Sequence, residues 1–200
     1  METYPFLQQK KTEMQLLLAS KSPRRRELLS SLGFPLRIVD VDVEETIGSE
    51  IPASEVAEQL AILKSGGYNS QLLVNGDILV TADTVVVCDK QVMGKPHSRQ
   101  EAYEMLQSLS GREHQVYTGV CLRSKDLQIS FAEKTDVWFR NLSEEEIFYY
   151  IDTYKPFDKA GAYGIQEWIG MVGIERIEGC YYNVMGLPVA RLCKELTKFI

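Results

Sequence analysis

The stretch Ile78–Cys88, ILVTADTVVVC, decides the fold class. It is a nearly unbroken apolar run, as expected of a strand covered on both faces. Upstream, Met14–Ala19 (MQLLLA) reads as a second, shorter buried strand. Ser22 and Pro23 then open a helix: the serine caps it and the proline suits its first position. Leu28, Leu29 and Leu32 make its apolar face and Gly33 stops it. Leu36–Val43 (LRIVDVDV) alternates as a strand does, and Ser54 is placed to cap a helix with Val56, Ala57, Leu60 and Ala61 inward and Lys64 near its end. Downstream, Ser98 and Glu101 match a capping box for a helix through Leu109, stopped near Gly111. Gln115–Arg123 and Leu127–Phe139 read as strands joined by a hairpin at Ser124-Lys125-Asp126. Ser143 and Glu146 form a second capping box, opening a helix to about Tyr154. Val172–Ile177 reads as a strand and Leu187–Phe199 as a closing helix. Helical crossovers combined with a hairpin predict a mixed sheet in an α/β or α+β fold.

The 200 residues suit one compact domain or two small lobes: a loose leader over residues 1–13, then a single domain over residues 14–200. Hydrophobic residues at 44% and charged residues at 25% describe an ordinary globular chain. A net charge of −6 argues against broad electrostatic binding to nucleic acid or an anionic membrane. An acidic chain that binds phosphate must concentrate its cations, so each lysine and arginine is informative. Cys88, Cys121, Cys180 and Cys193 form no C-x-x-C pair and read as buried, reduced thiols. Two histidines argue against a His-rich metal site. No apolar run approaches the roughly 20 residues needed to span a bilayer, and no signal-peptide core is present, so the expected compartment is the cytoplasm.

Several segments carry chemistry. Ala19–Arg26 (ASKSPRRR) lies between a strand and a helix, where unpaired N–H groups, hydroxyls and cations meet. It reads equally as an anion site or as a capped helix with a solvated basic face, and it is not a Walker A loop. Asp83 stands inside an apolar run, so its carboxylate needs a partner, a metal or a task as base; at a strand end facing a cleft it would suit either task. Glu44 and Glu45 close the LRIVDVDV strand, and taken alone are an ordinary solvated pair. Lys64 and Lys95, the latter in a Gly94-Lys95-Pro96 turn, could reach phosphate but singly read as surface lysines. Gly111–His114 reads as structural ion-pair chemistry rather than as a histidine base. Lys159–Gln166 (KAGAYGIQ) reads as a surface loop, or as a close-approach segment whose Gln166 amide meets a base edge.

Six motifs occur in order: LASKSPRR at Leu18–Arg25, ADTVV at Ala82–Val86, GKP at Gly94–Pro96, GREHQVYTGV at Gly111–Val120, DKAGAYGIQ at Asp158–Gln166 and NVMGLP at Asn183–Pro188. Together they resemble the Maf family of nucleotide pyrophosphatases. The resemblance implies an α/β fold with a mixed, curved sheet flanked by helices and a central cleft, similar to that of inosine-triphosphate pyrophosphatases. It implies a divalent cofactor, Mg²⁺ or Mn²⁺, and attack of water on the α-phosphorus of a nucleoside triphosphate. Carried over residue by residue, Asp83 is the proton acceptor and Glu45 and Asp83 the metal carboxylates. Ser20, Arg25, Lys64 and Lys95 are the phosphate-binding set, and Arg24, Thr84 and Gln166 the specificity markers. This combination resembles the branch preferring dTTP and UTP over 7-methyl-GTP. Two departures stand out: Glu167 follows Gln166 where the family usually has glycine, and the leader before Met14 is long. The implied partner is the nucleotide, without nucleic acid or membrane, and a homodimer is left open. Two alternatives use the same pocket: a house-cleaning pyrophosphatase for modified nucleotides, and a nucleotide-binding regulator of cell division with little turnover. Asp83, Glu45, Lys64 and Lys95 together argue against the regulator, because a binder needs no water-activating carboxylate.

Overall fold

The computed structural model describes residues 13–46, 48 and 50–199. The leader assigned to residues 1–13 lies, Glu13 apart, outside the described residues. The strands are β1 Gln15–Leu18, β2 Leu36–Ile38, β3 Asp77–Cys88, β4 Gln91–Met93, β5 Glu113–Arg123, β6 Gln128–Phe139 and β7 Ile174–Glu178. Their order in one mixed sheet is β2-β1-β3-β5-β6-β7, with β4 paired to β3. The helices are α1 Pro23–Ser31, α2 Ala53–Gly66, α3 Arg99–Leu109, α4 Glu144–Tyr154, α5 Trp168–Gly173, α6 Tyr181–Met185 and α7 Val189–Leu196. The chain forms two compact units. The first takes the described residues up to Asp83, Thr118–Glu133 and those from Gly186 on; the second takes Thr84–Tyr117 and Lys134–Met185. Among the described residues no helix is long and apolar enough to cross a membrane.

In the first unit β1 is sandwiched between parallel neighbours, with Leu16 opposite Leu36 on one side and Ile78 on the other. Leu16, Leu17 and Leu18 are fully buried, which is why this short run is apolar on both faces. β2 is shorter than the alternation over Leu36–Val43 predicts. It stops at Ile38, opposite Leu18, where β1 itself ends and leaves the following residues no strand to pair with. α1 begins as expected, with Ser22 Oγ accepting the Arg25 N–H at 3.4 Å and Pro23 in the first turn. Helix α2 begins one residue before the expected Ser54 cap. Pro52 occupies the cap position, so the Ser54 hydroxyl falls inside the first turn. The inward face of α2 is a stripe of small residues, Ala57, Ala61 and Ser65. They let the helix lie close to the sheet. Gly119 of β5 meets that helix so closely that a Cβ there would overlap the backbone of Ala57.

In the second unit α3 and α4 pack together through Tyr103 stacked on Phe148 at 4.7 Å, and through Arg99, bound to Asp152 at 2.8 Å. The Ser143 capping box is complete: Glu146 N–H reaches Ser143 Oγ at 3.2 Å, and Ser143 N–H reaches Glu146 Oε2 at 2.8 Å. The box at Ser98 is half made. Ser98 Oγ caps Glu101 N–H at 3.1 Å, but the Glu101 carboxylate turns to His97 N–H at 2.7 Å. Leu106, Leu109, Val137, Phe139, Ile147, Tyr150, Ile151 and Tyr163 make the core. His114 belongs to this core: it is fully buried, with Nε2 2.8 Å from the Tyr163 hydroxyl and its ring edge-on to Phe139. Burial holds its pKa down to about 4. The ion pair expected of the 111–114 turn is made by Arg112 to Asp89. The strand predicted from Val172 starts at Ile174, because α5 runs to Gly173. In the first unit, the closing helix ends at Leu196 and finishes in a 3₁₀ turn, Thr197–Phe199.

Candidate active site

The small-residue stripe of α2 dictates the site. Thr81 and Asp83 are two residues apart on β3 and so project from one face. Thr81 Oγ1 donates to the Ala61 carbonyl at 2.6 Å, fixing helix to strand. One turn further along the helix, Lys64 meets Asp83: Nζ lies 2.5 Å from Asp83 Oδ1 and 3.1 Å from Glu45 Oε2. The side chains of Lys64 and Asp83 are 15% and 16% exposed, whereas that of Glu45 is 53% exposed. One ammonium therefore bridges two carboxylates, one largely enclosed and one open to solvent. Asp83 stands in the middle of β3 and not at a strand end. Its access to solvent comes from a break in the burial of that strand at Asp83 and Thr84.

The loop between β1 and α1 is fastened by Arg25. Its Nε donates to the Gly186 carbonyl at 2.8 Å and its Nη1 to the Ala82 carbonyl at 2.9 Å and to Ser20 Oγ at 3.4 Å. Ser20 Oγ also accepts the Ser22 N–H at 3.3 Å. Desolvation lowers the Arg25 pKa, Asp83 opposes it, Arg24 reinforces it and Glu45 opposes it. Arg25 thus ties the loop to the carbonyl immediately before Asp83, a use that phosphate binding alone does not describe. Arg24 is half-buried on α1. The first unit therefore gathers Ser20, Arg25, Glu45, Lys64 and Asp83.

Thr84, Lys95 and Gln166 belong to the second unit. Thr84 is half-buried on β3, and Lys95 is exposed after β4. Gln166 follows a buried stretch, residues 161–165, so the surface-loop reading of that segment fails. Among the described residues its Oε1 is buried without a hydrogen-bond partner. Glu167, the departure from the family pattern, accepts a hydrogen bond from Tyr150 and pairs with Lys159 at 3.2 Å. Lys159 is buried and also pairs with Asp158 at 2.7 Å. Sequence reasoning assigned no task to Tyr150 or Lys159. A signal for Lys159 existed: a lysine within a run of small residues is placed for burial, and a buried ammonium needs acidic partners.

A family model described as "Maf-like protein" matches residues 15–199. The chain belongs to the Maf family. It is 50% identical over 185 residues to the dTTP/UTP pyrophosphatase of Bacteroides thetaiotaomicron, covering 92% of this chain and 95% of that one. It is 50% identical over 184 residues to that of Phocaeicola vulgatus, covering 92% and 95%. To the one from Christiangramia forsetii it is 42% identical over 195 residues, covering 98% and 99%. Among solved structures it resembles the Ham1 protein of Staphylococcus aureus, with TM-score 0.50 and 16% identity over 92% of this chain and 98% of that one. That likeness is one of fold, and it agrees with a mixed α/β sheet bearing helices.

Within this Maf chain the donor set bears on the expected cofactor. Among the described residues no three His, Cys, Asp or Glu side chains converge on one point. Two carboxylates do converge, and the point where they meet already holds a positive charge, Lys64 Nζ. Two oxygen donors suit Mg²⁺ or Mn²⁺, which take much of their shell from water and substrate phosphate. The residues present therefore fit the group.

Proposed function

We propose that this chain hydrolyses dTTP and UTP to the nucleoside monophosphate and pyrophosphate in the cytoplasm, with Mg²⁺ or Mn²⁺ as cofactor. The observation that carries the reading is Lys64 Nζ held between Asp83 and Glu45, beside the Arg25-fastened loop at the start of α1. It supports a base, a cation position and phosphate donors close to one another. The dTTP/UTP pyrophosphatase activity of relatives at 50% identity supports the substrate.

In this reading Asp83 takes the proton of a water as its oxygen attacks the α-phosphorus. The new O–P bond forms as the bond from the α-phosphorus to the bridging oxygen breaks, and pyrophosphate leaves with that oxygen. Lys64 and Lys95 stabilise the charge of the leaving group as point cations. Ser20 and Arg25 hold the loop whose N–H groups face the phosphates. Held by Glu45 and Asp83, the divalent cation would offset the charge of the triphosphate, which otherwise repels both carboxylates. Arg24, Thr84 and Gln166 select the base, and the Gln166 Oε1 acceptor suits the imide N–H of uracil or thymine.

Incubation with UTP and Mg²⁺ in ¹⁸O-labelled water, read by ³¹P NMR and mass spectrometry, tests the reaction. Pyrophosphate and labelled UMP are expected. UDP with labelled orthophosphate would place attack at the γ-phosphorus and overturn the proposal.

A further inference from the structure

Glu167 stands at the N-cap of α5, yet its side chain makes no capping bond. Its carboxylate turns back into the second unit and closes a circuit. The Gly164 N–H donates to the Tyr150 hydroxyl at 3.0 Å, and that hydroxyl donates to Glu167 Oε2. Lys159 Nζ holds the other oxygen, Oε1, at 3.2 Å. Tyr150 is fully buried, Lys159 is 7% exposed and the Glu167 side chain 19%, so the network is largely enclosed. Burial first, then Glu167, push the Tyr150 pKa up, which keeps its hydroxyl a donor. The Glu167 carboxylate is thus held by the Tyr150 hydroxyl and by a buried ammonium that it shares with Asp158.

Gly164 shows what this arrangement does. A Cβ there would come within 2.9 Å of the Glu167 carboxyl carbon and 3.1 Å of Gln166 Nε2. The Glu167 carboxyl and the nitrogen end of the Gln166 amide therefore lie over the same glycine. An ionised carboxylate accepts and cannot donate, whereas the amide has a donor end and an acceptor end. Electrostatics then favours the NH₂ end toward Glu167 and leaves Oε1 turned away. Oε1 is the atom that is buried without a partner among the described residues.

We infer that Glu167 is a positioning residue: it orients the Gln166 amide so that its carbonyl oxygen faces the base, selecting uracil and thymine, which carry a donor at N3, over cytosine, which carries an acceptor there. The inference rests on the proposed pyrophosphatase reading and adds the device that sets its choice between pyrimidines. A site that leaves its own buried acceptor unpaired, or faces it with another acceptor, rejects the wrong base strongly.

The test compares kcat and KM for UTP and CTP in wild type, Glu167→Gln and Tyr150→Phe, with thermal melts of each. Glu167→Gln keeps the size of the side chain and an acceptor for Tyr150, but its amide can donate, so Gln166 is free to flip. The UTP-to-CTP ratio of kcat/KM should fall by roughly tenfold or more, mostly through improved use of CTP. Tyr150→Phe loosens the same network while keeping the carboxylate beside Gln166. It should lower the melting temperature yet keep more of the discrimination than Glu167→Gln does. A Glu167→Gln enzyme with the wild-type ratio overturns the inference alone. So does an equal loss of discrimination in both variants that follows their loss of stability. A wild-type enzyme that turns over UTP but does not prefer it to CTP also overturns the inference alone, whereas one that turns over neither UTP nor dTTP overturns it together with the functional reading.

Discussion

Replacing Lys64 should have opposite effects on metal binding and on turnover. The ammonium stands 2.5 Å from Asp83 and 3.1 Å from Glu45, on the point where the proposed divalent cation would sit. At an effective dielectric near 20, a unit charge pair 4 Å apart interacts by about 4 kcal/mol. The Asp83 side is 16% exposed and keeps a good part of that, whereas Glu45 is 53% exposed, so its share is screened to about 1 kcal/mol or less. In Lys64→Met the length of the side chain stays, but a cation arriving alone meets two unpaired carboxylates and no competing ammonium. We expect Mn²⁺, without nucleotide, to bind the variant about 1–3 kcal/mol more tightly than wild type, roughly five- to 150-fold in Kd. Turnover of dTTP should fall, because the ammonium that would move onto the phosphates is gone. Titration of free Mn²⁺ by electron paramagnetic resonance, without nucleotide, reads the first effect directly. A variant that binds Mn²⁺ no better than wild type would refute the reasoning, since Glu45 and Asp83 would then not form a cation position that Lys64 fills.

Asp83→Asn keeps the shape of the side chain but removes charge and basicity, so kcat should drop by about two to four orders of magnitude while fluorescent dTTP analogues still bind. Near-normal turnover would leave Asp83 a structural residue. The buried His114 imidazole has its pKa lowered from 6.5 to about 4. The unfolded chain therefore takes up the proton first, and the stability contributed by the neutral ring, present above pH 6.5, is lost as pH falls toward 4, by about 3 kcal/mol in all. Urea unfolding of wild type and His114→Asn between pH 7 and 4.5 should show a shallower loss in the variant, and equal slopes would exclude this group. Gly119→Ala places a methyl on the backbone of Ala57; it should destabilise by about 1–3 kcal/mol or more in the same assay, and an unchanged denaturation midpoint would mean that α2 is not seated against β5.

Residues adjacent in the chain were legible without the fold. The buried runs around Leu16–Leu18 and Ile78–Val80, the Ser22-Pro23 helix start and the Ser143–Glu146 capping box all depend on neighbours within about one turn or one strand pair. Where such local signals met tertiary limits, they erred: the alternation beyond Ile38 found no strand to pair with, and the Glu101 carboxylate found His97. The site was legible as a set of residue types and not as a set of partners. Lys64 and Asp83 are 19 residues apart, and what joins them is the closeness that Ala57, Ala61 and Gly119 permit. Arg25 reaches carbonyls 57 and 161 residues away, and Glu167 found Tyr150, 17 residues back, rather than a nucleotide or solvent. Periodicity and capping are short-range properties of the chain, whereas the partner of a charged group is whichever complementary group folding brings beside it as water is excluded. Burial makes such a choice costly to leave unmade, so it is settled only once the helices and strands have packed.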